Sequence, residues 1–96
     1  MAKAYWIARV TVTDPEQYKL YVEGAASSLK TYGAKPLARG GKYEALEGDA
    51  RPRNVVLEFP SLQAAHDCFH SPEYQAARAH RLGVSTIELV IVEGVE

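Results

Sequence analysis

Two histidines stand four residues apart in the segment HDCFH, which runs from His66 to His70. Imidazoles at this spacing lie on one side of a helix, and the acid between them gives the segment the outline of a zinc-binding motif. The third ligand would have to be His80 or Cys68. Moreover, we expect the helix to break at Ser71, directly after the second histidine, so that the two rings lose their shared face. The sequence therefore predicts no metal site.

A histidine can also act as a general acid or base if a partner holds it in place. His66 borders the apolar side of its predicted helix, a position more typical of a packing histidine than of a catalyst. Glu58 is the acid that we nominate as its partner, which makes these two residues the candidate catalytic groups. Cys68 is interpreted as an inert, small apolar side chain.

Arginine is the second residue type here with clear binding chemistry, because its planar donors match carboxylates and phosphates. Arg81 follows Tyr74 by seven residues and shares its predicted inward face. It is either a cation near a helix C-terminus or an arginine that holds an anionic ligand. Arg9 and Glu58 are predicted to lie across from each other on neighbouring strands. A structural ion pair is the favoured interpretation, and a pocket lining is the alternative.

The segment LARGGKYEALEG, which begins at Leu37, combines an arginine, two glycines and a lysine. A phosphate-binding loop leads from its glycines into a helix N-terminus, whereas strand-like residues follow here. Leu37 and Leu46 would face opposite sides of a regular strand, unless a bulge at the glycines inserts one residue. We therefore predict one bent strand from Leu37 to Glu47, whose bend aims Arg39 or Tyr43 at a pocket.

Four predicted strands and two helical regions have to position these side chains. Asp14 and Pro15 start the first helix, and Ser61 and Ser71 start the two segments of the second. The predicted strands cover residues 4–12, 37–47, 55–59 and 86–92. The resulting order βαββαβ predicts an α+β, ferredoxin-like fold with a four-stranded antiparallel sheet.

Both helices of such a fold cover one face of the sheet. We assign to that face the small and apolar set in the first strand, which is Ala4, Trp6, Ala8 and Val10. The other face, called the open face below, is about half apolar, with Tyr5, Ile7, Val56, Val90 and Val92. Such a patch is unusual on a monomer, so we predict a homodimer whose two sheets face each other.

Composition limits the class of protein. The 96 residues are enough for one domain, expected over residues 1–96, and 47% of them are hydrophobic. Eleven basic and twelve acidic residues nearly cancel, which argues against a nucleic-acid partner. The N-terminal segment is predicted to be a strand and not a signal peptide, and no apolar run is long enough for a membrane span. With a single cysteine, a cytoplasmic location is the expectation.

Four segments in order, LARGGKYEALEG, VVLEFPS, SPEYQAARAHR and IVEG, resemble the family called domain of unknown function 1330. The resemblance implies a dimeric α/β-barrel, a superfamily that includes cofactor-independent monooxygenases, lactone isomerases and haem-dependent enzymes. The positions that match the family pattern are Arg39, Gly40, Gly41, Glu58, Phe59, Pro60, Ser71, Pro72, Glu73, Tyr74 and Arg81. Several of them start helices or end strands, so Arg39, Glu58 and Arg81 are the better site candidates.

The expected function is the binding or conversion of a small polar or anionic organic molecule by a homodimer, with no cofactor. Glu58 and His66 are the candidate catalytic residues, and Arg9, Arg39, Tyr43 and Arg81 are the candidate ligand-binding residues. A non-catalytic ligand- or protein-binding module is the alternative, so whether the protein is an enzyme stays open. A third possibility is a haem-associated enzyme with His66 or His80 as axial ligand.

Overall fold

The computed structural model describes residues 2–95, which form a four-stranded sheet with three helices on one face. The elements are β1 (Ala4–Val12), α1 (Pro15–Thr31), β2 (Lys35–Arg39), β3 (Arg53–Phe59), α2 (Leu62–His70), α3 (Pro72–Arg78) and β4 (Ser85–Glu93). A single 3-10 turn, Ala79–Arg81, follows α3. No helix within residues 2–95 has the length and apolar character needed to cross a membrane.

The sheet has the strand order β2-β3-β1-β4, and every neighbouring pair is antiparallel. This order places β1 at the centre, with Trp6 opposite Leu57 of β3 on one side and Ile91 of β4 on the other. The α+β, ferredoxin-like arrangement predicted from the sequence is therefore confirmed. The second crossover contains two helices, α2 and α3, which correspond to the two predicted segments that begin at Ser61 and Ser71.

Short polar side chains set the helix boundaries as predicted. Asp14 Oδ1 accepts a hydrogen bond from the Gln17 amide at 3.2 Å and caps α1. Ser71 both ends α2 and starts α3, since its hydroxyl donates to the Cys68 carbonyl at 2.7 Å and accepts from the Tyr74 amide at 3.2 Å. This double cap fixes Tyr74 at the start of α3, with its side chain fully buried.

The prediction of one bent strand from Leu37 to Glu47 is wrong. β2 ends at Arg39, and its register shift lies between Pro36 and Ala38, not at the glycines. Gly40 has φ +71° and its amide donates to the Asn54 carbonyl at 2.9 Å, so it turns the chain away from the sheet. Residues 42–46 are exposed and belong to no strand.

The two faces of the sheet differ as predicted. Ala4, Trp6, Ala8 and Val10 are buried against the helices. Trp6 Nε1 donates to the Ala65 carbonyl at 3.0 Å, which ties α2 to the centre of the sheet. On the open face, large apolar side chains remain in contact with solvent, with Ile7 37%, Val90 56% and Val92 44% exposed.

Candidate functional site

A cavity of about 380 Å³ lies between α1 and the helix-covered face of the sheet. Its walls are mostly apolar and include Trp6, Leu57 and Leu89 from the sheet and Ala25 and Leu29 from α1. This volume lies within the range of small-molecule sites, about 300–1,000 Å³. The cavity is the best-formed candidate site in the described part of the chain.

The polar side chains in the cavity wall are phenols and cations. They are Tyr18, Tyr21, Tyr74, Lys30, Arg39 and Arg53. Among the described residues that line the cavity, none is acidic and none is a histidine. The wall can therefore donate hydrogen bonds and attract negative charge, but it offers no carboxylate or imidazole as a general base.

Two phenols and one arginine form a connected group at this wall. The hydroxyls of Tyr21 and Tyr74 lie 2.7 Å apart, and Arg81 Nη2 donates to the Tyr74 hydroxyl at 3.4 Å. The Arg81 guanidinium also stands over the Tyr21 ring, 5.1 Å from its centre. Arg81 is only 3% exposed, although it carries a charge.

Burial controls the protonation of this group. Desolvation raises the pKa of Tyr21, and the neighbouring Tyr74 hydroxyl raises it further, so Tyr21 stays a neutral O–H donor at ordinary pH. Burial by itself would lower the pKa of Arg81, but its interactions with Tyr74 and Tyr21 outweigh that effect and leave its pKa raised. Arg81 is therefore a permanent cation behind the two phenols.

A second, partly buried arginine lies beside Tyr18. The Arg53 side chain stands over the Tyr18 ring at 5.6 Å, and its Nε is buried without a hydrogen-bond partner. Desolvation raises the pKa of Tyr18, and the charge of Arg53 opposes this. The ion pairs within residues 2–95 involve other cations, so neither Arg53 nor Arg81 has a carboxylate partner there.

The structure brings two of the predicted ligand-binding residues to this cavity. Arg39 lines it directly, and Arg81 lies behind Tyr21 and Tyr74. Tyr43 is 53% exposed on the irregular segment after β2 and does not line it. Of the two residues that the bend was predicted to aim at a pocket, only Arg39 lines this cavity.

Arg9 and Glu58 both lie on the open face but do not meet. Arg9 is opposite Asn54, and its Nη2 donates to the Asp49 carbonyl at 2.9 Å. Glu58 is opposite Tyr5 and lies 3.5 Å from the amine of Lys3. The prediction that these two charges lie across from each other is wrong, because the strand register offsets them by four residues along β1.

His66 is exposed on the outer side of α2, where its Nδ1 lies 3.5 Å from Asp67. It lines an open depression between the start of α2 and the end of β4, and neither His66 nor Glu58 lines the cavity. Because α2 continues through His70, the two imidazoles do share a face, with ring centres 4.4 Å apart; the expectation that the break separates them is wrong. Residues 2–95 contain no group of three or more side chains placed to hold a metal ion.

The site residues predicted from the sequence do not include Tyr18, Tyr21, Tyr74 or Arg53. In the sequence, Tyr18 and Tyr74 have the positions of inward-facing residues of amphipathic helices, so packing in the core is enough to explain them. The available clue was chemical: a buried tyrosine hydroxyl needs a hydrogen-bond partner, and tyrosines inside a small domain therefore mark polar interiors.

Comparison with solved structures supports the fold. A protein of unknown function from Rhodopseudomonas palustris has a TM-score of 0.81 at 17% identity, covering 99% of this chain and 84% of that one. SnoaB, described as a cofactor-independent oxygenase from Streptomyces nogalater, has a TM-score of 0.63 at 12% identity, covering 100% and 96%. A putative antibiotic biosynthesis monooxygenase from Caulobacter crescentus has a TM-score of 0.62 at 16% identity, covering 99% and 92%.

At these identities the likeness establishes the α+β, ferredoxin-like fold, and neither an activity nor an assembly. A search of curated protein sequences gave no significant match. The model of one sequence family, however, matches residues 3–95, nearly the whole chain. The chain therefore belongs to the family known as domain of unknown function 1330, or DUF1330.

Proposed function

We propose that this protein binds a small organic anion with a largely apolar body in the cavity under α1, and converts it by acid–base chemistry without a cofactor. The observation that carries this proposal is the composition of the wall. An apolar cavity of about 380 Å³ is bordered by Lys30, Arg39 and Arg53, and no acidic side chain of residues 2–95 lines it.

The electrostatic reason is the shortage of negative charge near Arg81, which is buried, and near Arg53, which is partly buried. A buried cation without a carboxylate partner is costly, and buried charges in proteins are normally paired. Arg53 and Arg81 both have a buried Nε without a partner. An anionic ligand would supply the missing negative charge, while the apolar wall would hold its hydrocarbon part.

The fold neighbours agree with chemistry that needs no cofactor. SnoaB, which shares the fold, is described as a cofactor-independent oxygenase, and this description supports a reaction without a cofactor. The likeness does not indicate which substrate this chain binds. The phenols and cations of its own cavity wall indicate the kind of ligand that fits. A ligand with an acidic O–H group or a carboxylate would satisfy both the phenols and the cations.

A binding experiment tests the proposal. We would measure the affinity of small aromatic carboxylates and phenols, each paired with its neutral ester or ether, by thermal shift and calorimetry. The anions should bind more tightly than the neutral partners, and Arg53→Gln should weaken anion binding about tenfold.

Arg9→Gln is the matched control, because it makes the same change on the open face, away from the cavity. Equal affinity for anions and neutral partners would contradict the proposal. So would an equal loss of affinity in the two variants.

A binding module without catalysis is the second candidate function, favoured by the absence of a carboxylate or imidazole among the lining residues. Mass spectrometry of the bound ligand separates the two, since an enzyme returns a product and a binding module returns the ligand unchanged. The sequence-based pairing of Glu58 with His66 stays a prediction. It requires Glu58→Gln to abolish turnover while binding persists.

We also propose a homodimer that covers the open face. Ile7 of β1 and Val90 of β4 are directly opposite each other there, and both are exposed. A two-fold partner would bury this patch against its own copy. Light scattering at micromolar concentration should give twice the mass of one chain.

A further inference from the structure

Among the described residues, the hydroxyls of Tyr21 and Tyr74 form hydrogen bonds with each other and with one further side chain, that of Arg81. Their oxygens lie 2.7 Å apart, and the third member, Arg81, donates from Nη2 to Tyr74 at 3.4 Å. A guanidinium has donors and no acceptor, so it cannot take a proton from either phenol. The only acceptors inside this group are the two phenolic oxygens.

One of the two hydroxyl protons of Tyr21 and Tyr74 has no hydrogen-bond acceptor within this group. The two phenols carry two hydroxyl protons, and their mutual hydrogen bond uses one, whichever phenol is the donor. The other proton has no acceptor among residues 2–95, because these phenols make no further hydrogen bond there. Both tyrosines line the cavity, so the spare donor belongs to a residue of its wall.

The charge of Arg81 strengthens this donor. Arg81 is 3% exposed, and within the described range 2–95 its Nε has no hydrogen-bond partner and no carboxylate forms an ion pair with it. A cation that donates to a phenolic oxygen draws electron density from it and makes that phenol a better donor in turn. Placed over the Tyr21 ring at 5.1 Å, the same charge also favours any negative charge that develops next to Tyr21.

We infer that Tyr21 and Tyr74, positioned and polarised by Arg81, form an oxyanion-binding pair that stabilises the ionised oxygen of a phenol or enol in the cavity. This inference rests on the proposed function and adds the chemical class of the ligand. The step that the pair favours is the ionisation of the ligand. The ligand's O–H bond breaks, the proton passes to water, and the electron pair stays on the oxygen that accepts the spare phenolic hydrogen bond.

This arrangement does not need a general base in the cavity wall. By holding the conjugate base of the ligand, the pair lowers the pKa of the bound O–H group, so that solvent can take the proton near neutral pH. The described residues of the wall include no carboxylate that could abstract a proton. This composition suits a site that stabilises the ionised ligand and leaves the proton to solvent. Arg81 is a positioning residue here, since it acts through the phenols.

The test uses 4-nitrophenol as the probe, because only its phenolate absorbs visible light. A pH titration of the bound probe should show its pKa lowered by about one unit relative to free solution, which corresponds to about tenfold tighter binding of the phenolate than of the phenol. Tyr21→Phe and Tyr74→Phe should each return the bound pKa toward the free value. Each variant removes one hydroxyl and keeps the ring.

Tyr32→Phe is the matched control, because Tyr32 packs against the core and does not line the cavity. It should leave the bound pKa as in the wild type. Arg81→Gln should raise the bound pKa and Arg81→Lys should restore it in part, which a purely structural role of Arg81 would not produce. If the Arg81 variants fail to fold, the two phenylalanine variants still decide the outcome.

The results separate this inference from the proposed function. If Tyr21→Phe and Tyr74→Phe leave a lowered bound pKa unchanged, the oxyanion pair is wrong and anion binding stands. A bound pKa equal to the free value also rules out the pair, and anion binding then stands only if the aromatic carboxylates bind more tightly than their neutral esters. If neither 4-nitrophenolate nor the aromatic carboxylates bind to the wild type, both are wrong.

Discussion

At the scale of single residues, the buried polar groups fall into two kinds. Trp6 Nε1 and the Ser28 hydroxyl each donate to a backbone carbonyl at 3.0 Å, and both stabilise the core. Arg53 and Arg81, by contrast, keep a buried Nε without a partner. Unsatisfied buried donors are rare in proteins, so these two atoms, close to the tyrosine cluster, support the proposed anion site.

Cys68 is a buried side chain for which reactivity can be predicted. Its thiol is fully buried, and desolvation raises its pKa from 9.0 to about 11. Only the thiolate attacks thiol reagents, so we expect very slow reaction of the folded protein with a disulfide reagent at about pH 8. Unfolding in guanidinium should give rapid reaction of one thiol per chain.

The folded and unfolded samples carry the same single cysteine, so they control for each other. A higher pKa in the folded state also means that the folded protein loses stability as the pH rises from about 9 toward about 11. Rapid modification of the folded protein at about pH 8 would contradict the burial of Cys68.

At the scale of secondary-structure elements, the end of β2 decides how Arg53 is presented to the cavity. Gly40 has φ +71°, and a Cβ built on it would lie 2.8 Å from Arg53 Nη1. We expect Gly40→Ala to cost about 1 kcal/mol of folding free energy, because an alanine is strained at positive φ. It should also displace the Arg53 side chain and weaken anion binding.

Gly41→Ala is the control, since no atom lies within 4 Å of its Cβ position. Chemical denaturation and calorimetry with an aromatic carboxylate measure both effects. The control should change stability by no more than about 0.5 kcal/mol. Equal stability and equal affinity in the two variants would contradict this account of the Arg39–Gly40 turn.

Element boundaries could be predicted wherever a local signal sets them. Asp14, Ser61 and Ser71 accept the backbone hydrogen bonds expected of helix caps, and Gly33 at φ +80° follows the end of α1. The end of β2 at Arg39 could not be predicted in this way. Residues 42–46 have a strand-like composition, but Gly40 turns the chain away before they can pair.

The candidate site was harder to predict from the sequence than the fold, because it depends on contacts between residues that are far apart in the chain. Tyr21 and Tyr74 are 53 residues apart, and their hydrogen bond follows only from the packing of α3 against α1. The inward position of Arg81 could be inferred from its spacing after Tyr74. That Arg81 has no carboxylate partner within residues 2–95 could be recognised only from the three-dimensional contacts, because the sequence does not show which acidic side chains lie near it.

At the scale of the whole molecule, the two faces of the sheet separate two tasks. The cavity lies on the side covered by the helices, whereas the exposed apolar patch lies on the open face. A dimer formed through the open face would therefore leave the cavity wall of each chain intact. The expected consequence is that association and ligand binding can be disrupted independently.

Val90→Asp tests this separation. Val90 is 56% exposed in the single chain, so the added charge should cost little folding free energy by itself. In a two-fold dimer the change would place two carboxylates in one apolar interface, and their desolvation should shift the protein to monomers. Sedimentation should then give one chain mass for Val90→Asp, with the affinity for an aromatic carboxylate unchanged.

Leu20→Asp supplies the matched control, because Leu20 is 44% exposed on α1, away from the open face. It should keep the dimer mass of the wild type. Wild-type protein that sediments as a monomer at micromolar concentration would rule out the dimer, and a dimer that survives Val90→Asp would place its interface elsewhere. Dissociation that also abolished ligand binding would mean that the partner chain completes the site, contrary to a cavity whose wall comes from one chain.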